Sequence, residues 1–124
     1  MTISTDATTL EELRGQLTGR LATPSDPDYD ELRAVFYGGE LRPAAVARVA
    51  GAEDIAAVIG FARATGTELA VRGGGHSGAG HSTTDGGIVI DMRDLRRIEV
   101  DPETRTAWAD AGLTAAELLS LIHI

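Results

Sequence analysis

The sequence predicts an α+β fold, and three features carry that prediction. A helical period across Gly51–Gly66 lies between short apolar runs at Ala45–Val49 and Leu69–Val71, and this strand, helix, strand order gives a βαβ unit. Further on, Ile88–Met92, Arg96–Val100 and Arg105–Ala109 are short runs separated by turn residues, which predicts a β-meander. Between the two halves lies Val71–Gly87, VRGGGHSGAGHSTTDGG, whose glycines lose much backbone entropy on ordering and bring no side chain to a core.

The elements follow in order. Leu10, Leu13 and Leu17 recur at helical spacing, with Glu11 and Glu12 placed for a first turn, so Thr9–Leu21 is expected to form a short amphipathic helix, a docking arm. Thr23–Asp28 is turn chemistry, and Asp28–Phe36 predicts a second short helix closed by Gly38-Gly39. Residues 1–40 are therefore expected to be a helical leader. Its carboxylates Asp26, Asp28, Asp30 and Glu31 lack the glycine and the later bidentate glutamate of a calcium loop and are taken as a solvated cap. From Leu41 the texture changes. The central helix presents Ile55, Val58, Ile59 and Ala62 on one face and stops at Gly66. Asp101-Pro102 marks the corner of a hairpin, and Thr114 with Glu117 spells a capping box for a last helix from Leu113. The apolar stretch Ser120–Ile124 carries no stop signal, so 41–124 is expected to be one domain truncated at its carboxyl end.

Composition narrows the function classes. The chain has 124 residues, a formal net charge of −8, no lysine and no cysteine. Sequence-independent nucleic-acid binding needs clustered cations, and only Arg96-Arg97 are adjacent. Without cysteine there is no thiolate nucleophile, thiolate metal site or disulfide. The amino terminus lacks a basic and an apolar signal region, and no apolar run approaches the roughly twenty residues of a membrane span. A cytoplasmic location, with no membrane and no nucleic-acid partner, is the expectation.

The glycine loop sits after a strand, where ligands of α/β units bind, and backbone without Cβ atoms can turn its N–H groups onto an anion, above all phosphate. A structural turn is the alternative, but apolar strands on both sides argue against a linker. Gly73, Gly75 and Gly78 formally spell a dinucleotide fingerprint, yet Ala79–Gly87 is a poor helix former where that motif opens a helix. Gly75, Gly80, His81 and Ser82 imitate a P-loop without its lysine. A zinc site from His76, His81 and Asp85 would need a helical face that glycine-rich backbone does not hold. No metal site and no catalytic residue is assigned.

The run Val71-Arg72-Gly73-Gly74-Gly75-His76-Ser77, followed by Gly80 and Asp85–Asp91, resembles the FAD-binding domain of the berberine-bridge-enzyme-like branch of the vanillyl-alcohol-oxidase/PCMH flavoproteins. Arg42–Val46 and Phe61–Gly66 are similar to it as well. The resemblance implies the amino-terminal subdomain of a PCMH-type FAD-binding domain. It also implies that Arg72, Gly73, Gly74, Gly75, His76 and Ser77 wrap the FAD pyrophosphate through backbone amides. His76 matches the family's histidine bonded to the flavin 8α-methyl; the alternative for it is a hydrogen-bond donor without a covalent link. Gly80, His81 and Ser82 would continue the cofactor contact, with a plain polar loop role open for His81. The family's second flavin bond, to a cysteine further along, finds no counterpart here. The implied whole protein oxidises an alcohol, sugar or similar small molecule by hydride transfer to FAD and passes electrons to oxygen or another acceptor, while this portion alone is expected not to turn over. A non-catalytic nucleotide- or anion-binding module using the same loop is the rival reading.

Overall fold

The computed structural model describes residues 7–122. In chain order these form α1 (Ala7–Gln16), β1 (Arg20–Ala22), α2 (Tyr29–Arg33), β2 (Ala45–Arg48), α3 (Ala52–Thr65), β3 (Leu69–Arg72), β4 (Ile88–Asp91), β5 (Ile98–Asp101), β6 (Thr106–Ala109) and α4 (Ala115–Ile122). His123 and Ile124, part of the apolar end singled out above, lie outside the described residues, as does the start of the leader.

The mixed α+β class holds, with two differences in connection. β2 and β3 are not neighbours: β4 lies between them in a four-stranded sheet of order β1-β2-β4-β3, parallel to both. The physical reason is burial. Ile88-Val89-Ile90 is apolar on both faces, and only a central position covers both, so all four residues of β4 are buried. β4 also does not continue into a meander, because β5 and β6 form a separate antiparallel hairpin. Every residue of β6 is exposed, including Trp108 at 80%.

Alternation along the strands divides the core. Ala45, Ala47, Ile88 and Ile90 meet Val58 of α3 and Leu10 and Leu13 of α1 on one face. Val46, Val89 and Ala22 meet Leu32 of α2 on the other. The leader is therefore built into the sheet, since β1 pairs antiparallel with β2. The first helix ends earlier than its apolar spacing predicts. A Cβ on Gly19 would lie 2.0 Å from the Arg48 carbonyl oxygen, so the chain must pass close to β2 here. Asp54, buried in the first turn of α3, fixes that passage by accepting the backbone N–H groups of Thr18, Gly19 and Ala50 at 2.9, 2.8 and 2.9 Å. The capping box at α4 forms as expected, with Glu117 N–H donating to the Thr114 hydroxyl at 3.2 Å and Thr114 N–H donating to the Glu117 carboxylate at 2.9 Å.

Burial pushes the Asp54 carboxyl up, but the three N–H donors outweigh it and hold it below the usual carboxylate range. A lowered folded value stabilises the protein fully above the unfolded value of about 3.9, and this contribution is lost as pH falls through the folded value. Asp54→Asn is therefore expected to lose about 2 kcal/mol at pH 7, where a charged acceptor is replaced by a neutral one. Urea titrations of both proteins should show the gap narrowing as the pH drops below about 4; a gap that stays constant with pH contradicts this account.

Candidate functional site

The carboxyl ends of the parallel strands carry one row of charge. Arg48 of β2, Asp91 of β4 and Arg72 of β3 share a register position. By strand alternation they continue the line of Val46, Val89 and Ala70 on the α2 face. Asp91 is completely buried. Its oxygens accept Arg93 Nε at 2.9 and 3.0 Å and Arg93 Nη2 at 2.6 Å, and Arg48 Nε lies 3.8 Å away without a hydrogen-bond partner among the described residues. The guanidiniums of Arg93 and Arg72 then reach the end of α2. Arg93 Nη2 donates to the Leu32 carbonyl at 3.0 Å, and Arg72 Nη1 donates to the carbonyls of Leu32 and Ala34. Carbonyls at the end of a helix have no partner within it and favour a cation. Burial first, then the neighbouring Arg93 charge, presses the Arg72 guanidinium below the ordinary arginine range. The hydrogen bonds from Arg93 to Asp91 raise that of Arg93.

The glycine loop starts on top of this row. Gly75 has φ +74, and a Cβ there would lie 2.9 Å from Arg72 Nη2, so its backbone is laid directly on the guanidinium. The Gly75 carbonyl accepts the Phe36 N–H at 3.1 Å. One residue further, the His76 imidazole stacks on the Phe36 ring with centroids 4.0 Å apart and planes 18° from parallel. The backbone N–H groups from Gly74 to Ala79 find no acceptor among the described residues, and neither do the His76 ring nitrogens. Space above Gly78 and Gly80 is open. Such a run of uncommitted donors, at the carboxyl end of a parallel sheet, suits an anion.

The loop then returns to the amino end of the sheet, because β4 runs parallel to β3 and must begin beside Leu69. Gly80 N–H closes a turn onto the Ser77 carbonyl at 3.1 Å, and His81 N–H donates to the Ser77 hydroxyl at 3.2 Å. Ser82 is buried. Thr84 donates to Glu68, and the Arg42 N–H donates to Asp85 at 3.1 Å. Gly80 and His81 line a cavity of about 470 Å³ with Glu68, Ala70, Thr84 and Asp85. Of the expected site residues, the structure thus brings Arg72 to Ser77 together and joins Gly80 and His81 to them through Ser77, while Ser82 is buried on the returning limb. His81 lines this cavity, while His76 lies against Phe36. Arg72 is turned inward onto the leader, leaving its backbone to the loop. Sequence reasoning missed Phe36, Asp91 and Arg93; Asp91-x-Arg93 was legible as a strand end, but nothing local marks Phe36.

Fold and site define an α+β domain whose glycine loop presents N–H groups without partners among the described residues at the carboxyl end of a parallel sheet. Residues 43–123 match the family model for the FAD binding domain, and the chain belongs to that family, with berberine-bridge-enzyme-like proteins among its relatives. It is 34% identical over 104 residues to (R)-6-hydroxynicotine oxidase of Paenarthrobacter nicotinovorans, which covers 83% of this chain and 23% of that protein. It is 38% identical over 85 residues to berberine bridge enzyme-like 14 of Arabidopsis thaliana, covering 67% of this chain and 16% of the relative. Among solved structures, that of 6-hydroxy-D-nicotine oxidase from Arthrobacter nicotinovorans superimposes with a TM-score of 0.81 at 32% identity, over 85% of this chain and 23% of the other. The chain therefore spans a quarter or less of the length of these relatives. Among the described residues no helix is long and apolar enough to cross a membrane.

Proposed function

We propose that residues 41–124, preceded by the 1–40 leader, form the FAD-holding portion of an oxidoreductase whose flavin is bonded to His76. Bound FAD would supply the hydride acceptor for oxidising an alcohol, sugar or similar small molecule, with oxygen or another acceptor removing the electrons. The residues fit that cofactor. The observation that carries the reading is the run of unpartnered N–H groups from Gly74 to Ala79 beside an imidazole with no hydrogen-bond partner among the described residues. The amides are donors for a diphosphate, and open space at Gly78 and Gly80 leaves room for it. Gly73, Gly74, Gly75, His76 and Ser77 contribute through their backbone, and Arg72 holds that backbone in place. Gly80, His81 and Ser82 carry the contact along the returning limb.

His76 offers a ring nitrogen as the nucleophile toward the flavin 8α-carbon. Forming that C–N bond would cost one N–H and one C–H bond, and oxygen or the other acceptor would take up the two electrons and two protons. The small organic molecule in the nicotine oxidase's name supports a small-molecule substrate, and a cytoplasmic setting without nucleic-acid partner completes the reading.

The test is acid denaturation of the flavin-loaded protein. Wild type is expected to keep yellow colour in the pellet, and His76→Ala to lose more than about nine-tenths of it, as removal of the bonding atom requires. Colour retained in the His76→Ala pellet contradicts the attachment role. Binding inorganic phosphate as tightly as FAD would favour the non-catalytic anion module.

A further inference from the structure

We infer that Phe36, which lies outside the residues matched by the family model, is the positioning residue for His76: together with the bare Cα of Gly74 it forms a slot that fixes the imidazole plane. The consequence for flavin attachment rests on the function proposed above. The slot itself does not.

A histidine on a surface loop turns freely about two side-chain torsions unless something holds it. His76 is exposed and none of its ring atoms has a hydrogen-bond partner among the described residues. Two contacts constrain the ring. On one side the Phe36 ring lies 4.0 Å away and nearly parallel. Gly74 supplies the other, since a Cβ there would sit 2.9 Å from His76 Cδ2, so only a residue without one leaves the ring its place. The slot is held firm from below. The Phe36 N–H is tied to Gly75, Ala34 is tied to Arg72, and Arg72 itself is 7% exposed under the same loop.

The kind of contact matters chemically. A hydrogen bond would occupy a ring nitrogen in the plane where a new bond must form. Stacking uses the π-face and leaves both nitrogens free at the edge. Phe36 is also 67% exposed, a large apolar ring that folding alone does little to bury. Truncating it opens no core cavity.

Two measurements on the full chain test the slot. Without cofactor, ring-current shielding should move the His76 ring protons upfield of those of His81 in NMR spectra. Phe36→Ala and Gly74→Ala should both abolish the difference, while Phe36→Tyr should keep it. With FAD added, Phe36→Ala should slow covalent attachment about fivefold, the population shift that loss of one aromatic stack produces, and Phe36→Tyr should restore it. Phe36→Leu keeps apolar bulk without a π-face and should resemble Ala, and it serves if the alanine variant does not fold. Unchanged His76 resonances and attachment rate in Phe36→Ala or Phe36→Leu overturn the inference. Flavin retained by His76→Ala overturns the attachment reading instead, and the cofactor-free NMR comparison then decides the slot alone.

Discussion

Replacing Asp91 by alanine is expected to destabilise the protein by about 3 kcal/mol, a fall of roughly 12 °C in Tm. Asp91 is the only carboxylate in the row and has no exposure to water, while Arg48, Arg72 and Arg93 converge on its end of the sheet. Taking it away leaves Arg93 without its bidentate acceptor beside Arg72, and leaves Arg48 with Asp94 as its remaining carboxylate partner among the described residues. Arg93 and Arg48 retain some access to solvent, which keeps the loss toward the lower end for a broken buried pair. Repulsion has a separate signature. Added salt should recover part of the lost stability in Asp91→Ala and have a smaller effect on wild type, because the Debye length shrinks to about 3 Å at 1 M. Chemical denaturation at low and high sodium chloride reads both numbers. A variant as stable as wild type, or one indifferent to salt, contradicts the role given to Asp91. The effect should reach function too, since Arg93 and Arg72 share the Leu32 carbonyl and hold the leader against the glycine loop.

Gly75→Ala is expected to cost about 2–3 kcal/mol, combining a left-handed backbone for a residue with a Cβ and the displacement of a hydrogen-bonded guanidinium. The new methyl would lie 2.9 Å from Arg72 Nη2 and 3.1 Å from its Cζ. Arg72 cannot swing aside without abandoning the carbonyls of Leu32 and Ala34. Gly80→Ala is the internal control. It has a similar φ of +79, and no atom lies within 4 Å of where its methyl would sit, so it should lose only about 1 kcal/mol from backbone conformation. The difference between the two isolates the contact with Arg72. A double variant, Gly75→Ala with Arg72→Met, should lose less than the sum of the singles, because the second change removes the group the first collides with. Strict additivity contradicts the packing described. Gly75→Ala should also loosen Phe36, and faster proteolysis between Arg33 and Arg42 would report that release.

Much of the fold was legible because its cues are local. The period of α3, its stop at Gly66, the apolar run of β4 and the Thr114–Glu117 capping box each depend on neighbours a few residues away, and the structure places them as expected except for Ile59, which α3 leaves 41% exposed off the face shared by Val58 and Ala62. The loop's open backbone was local as well, since glycine composition alone leaves N–H groups accessible. Strand order was less legible. Apolar pattern shows that β4 is buried on both faces without saying which strands cover them, and the connection through Gly73–Gly87 is long enough to allow either placement. β1 escaped for a related reason, because Arg20–Ala22 is too short to show alternation and is a strand only by virtue of β2.

The sequence by itself determined the α+β class, the strands bounding the glycine loop and the family to which that loop belongs. These follow from torsional freedom, side-chain period and capping chemistry, all written within a few residues. Only the tertiary structure decided that Arg72 faces the leader, that Asp91 pairs with Arg93 and Arg48, that His81 lines a cavity with Glu68 and that Phe36 meets the imidazole. Each of those outcomes joins residues brought together by the fold rather than by the local pattern. Their energies come from burying charge and stacking rings, which exist only once the strands have been brought side by side.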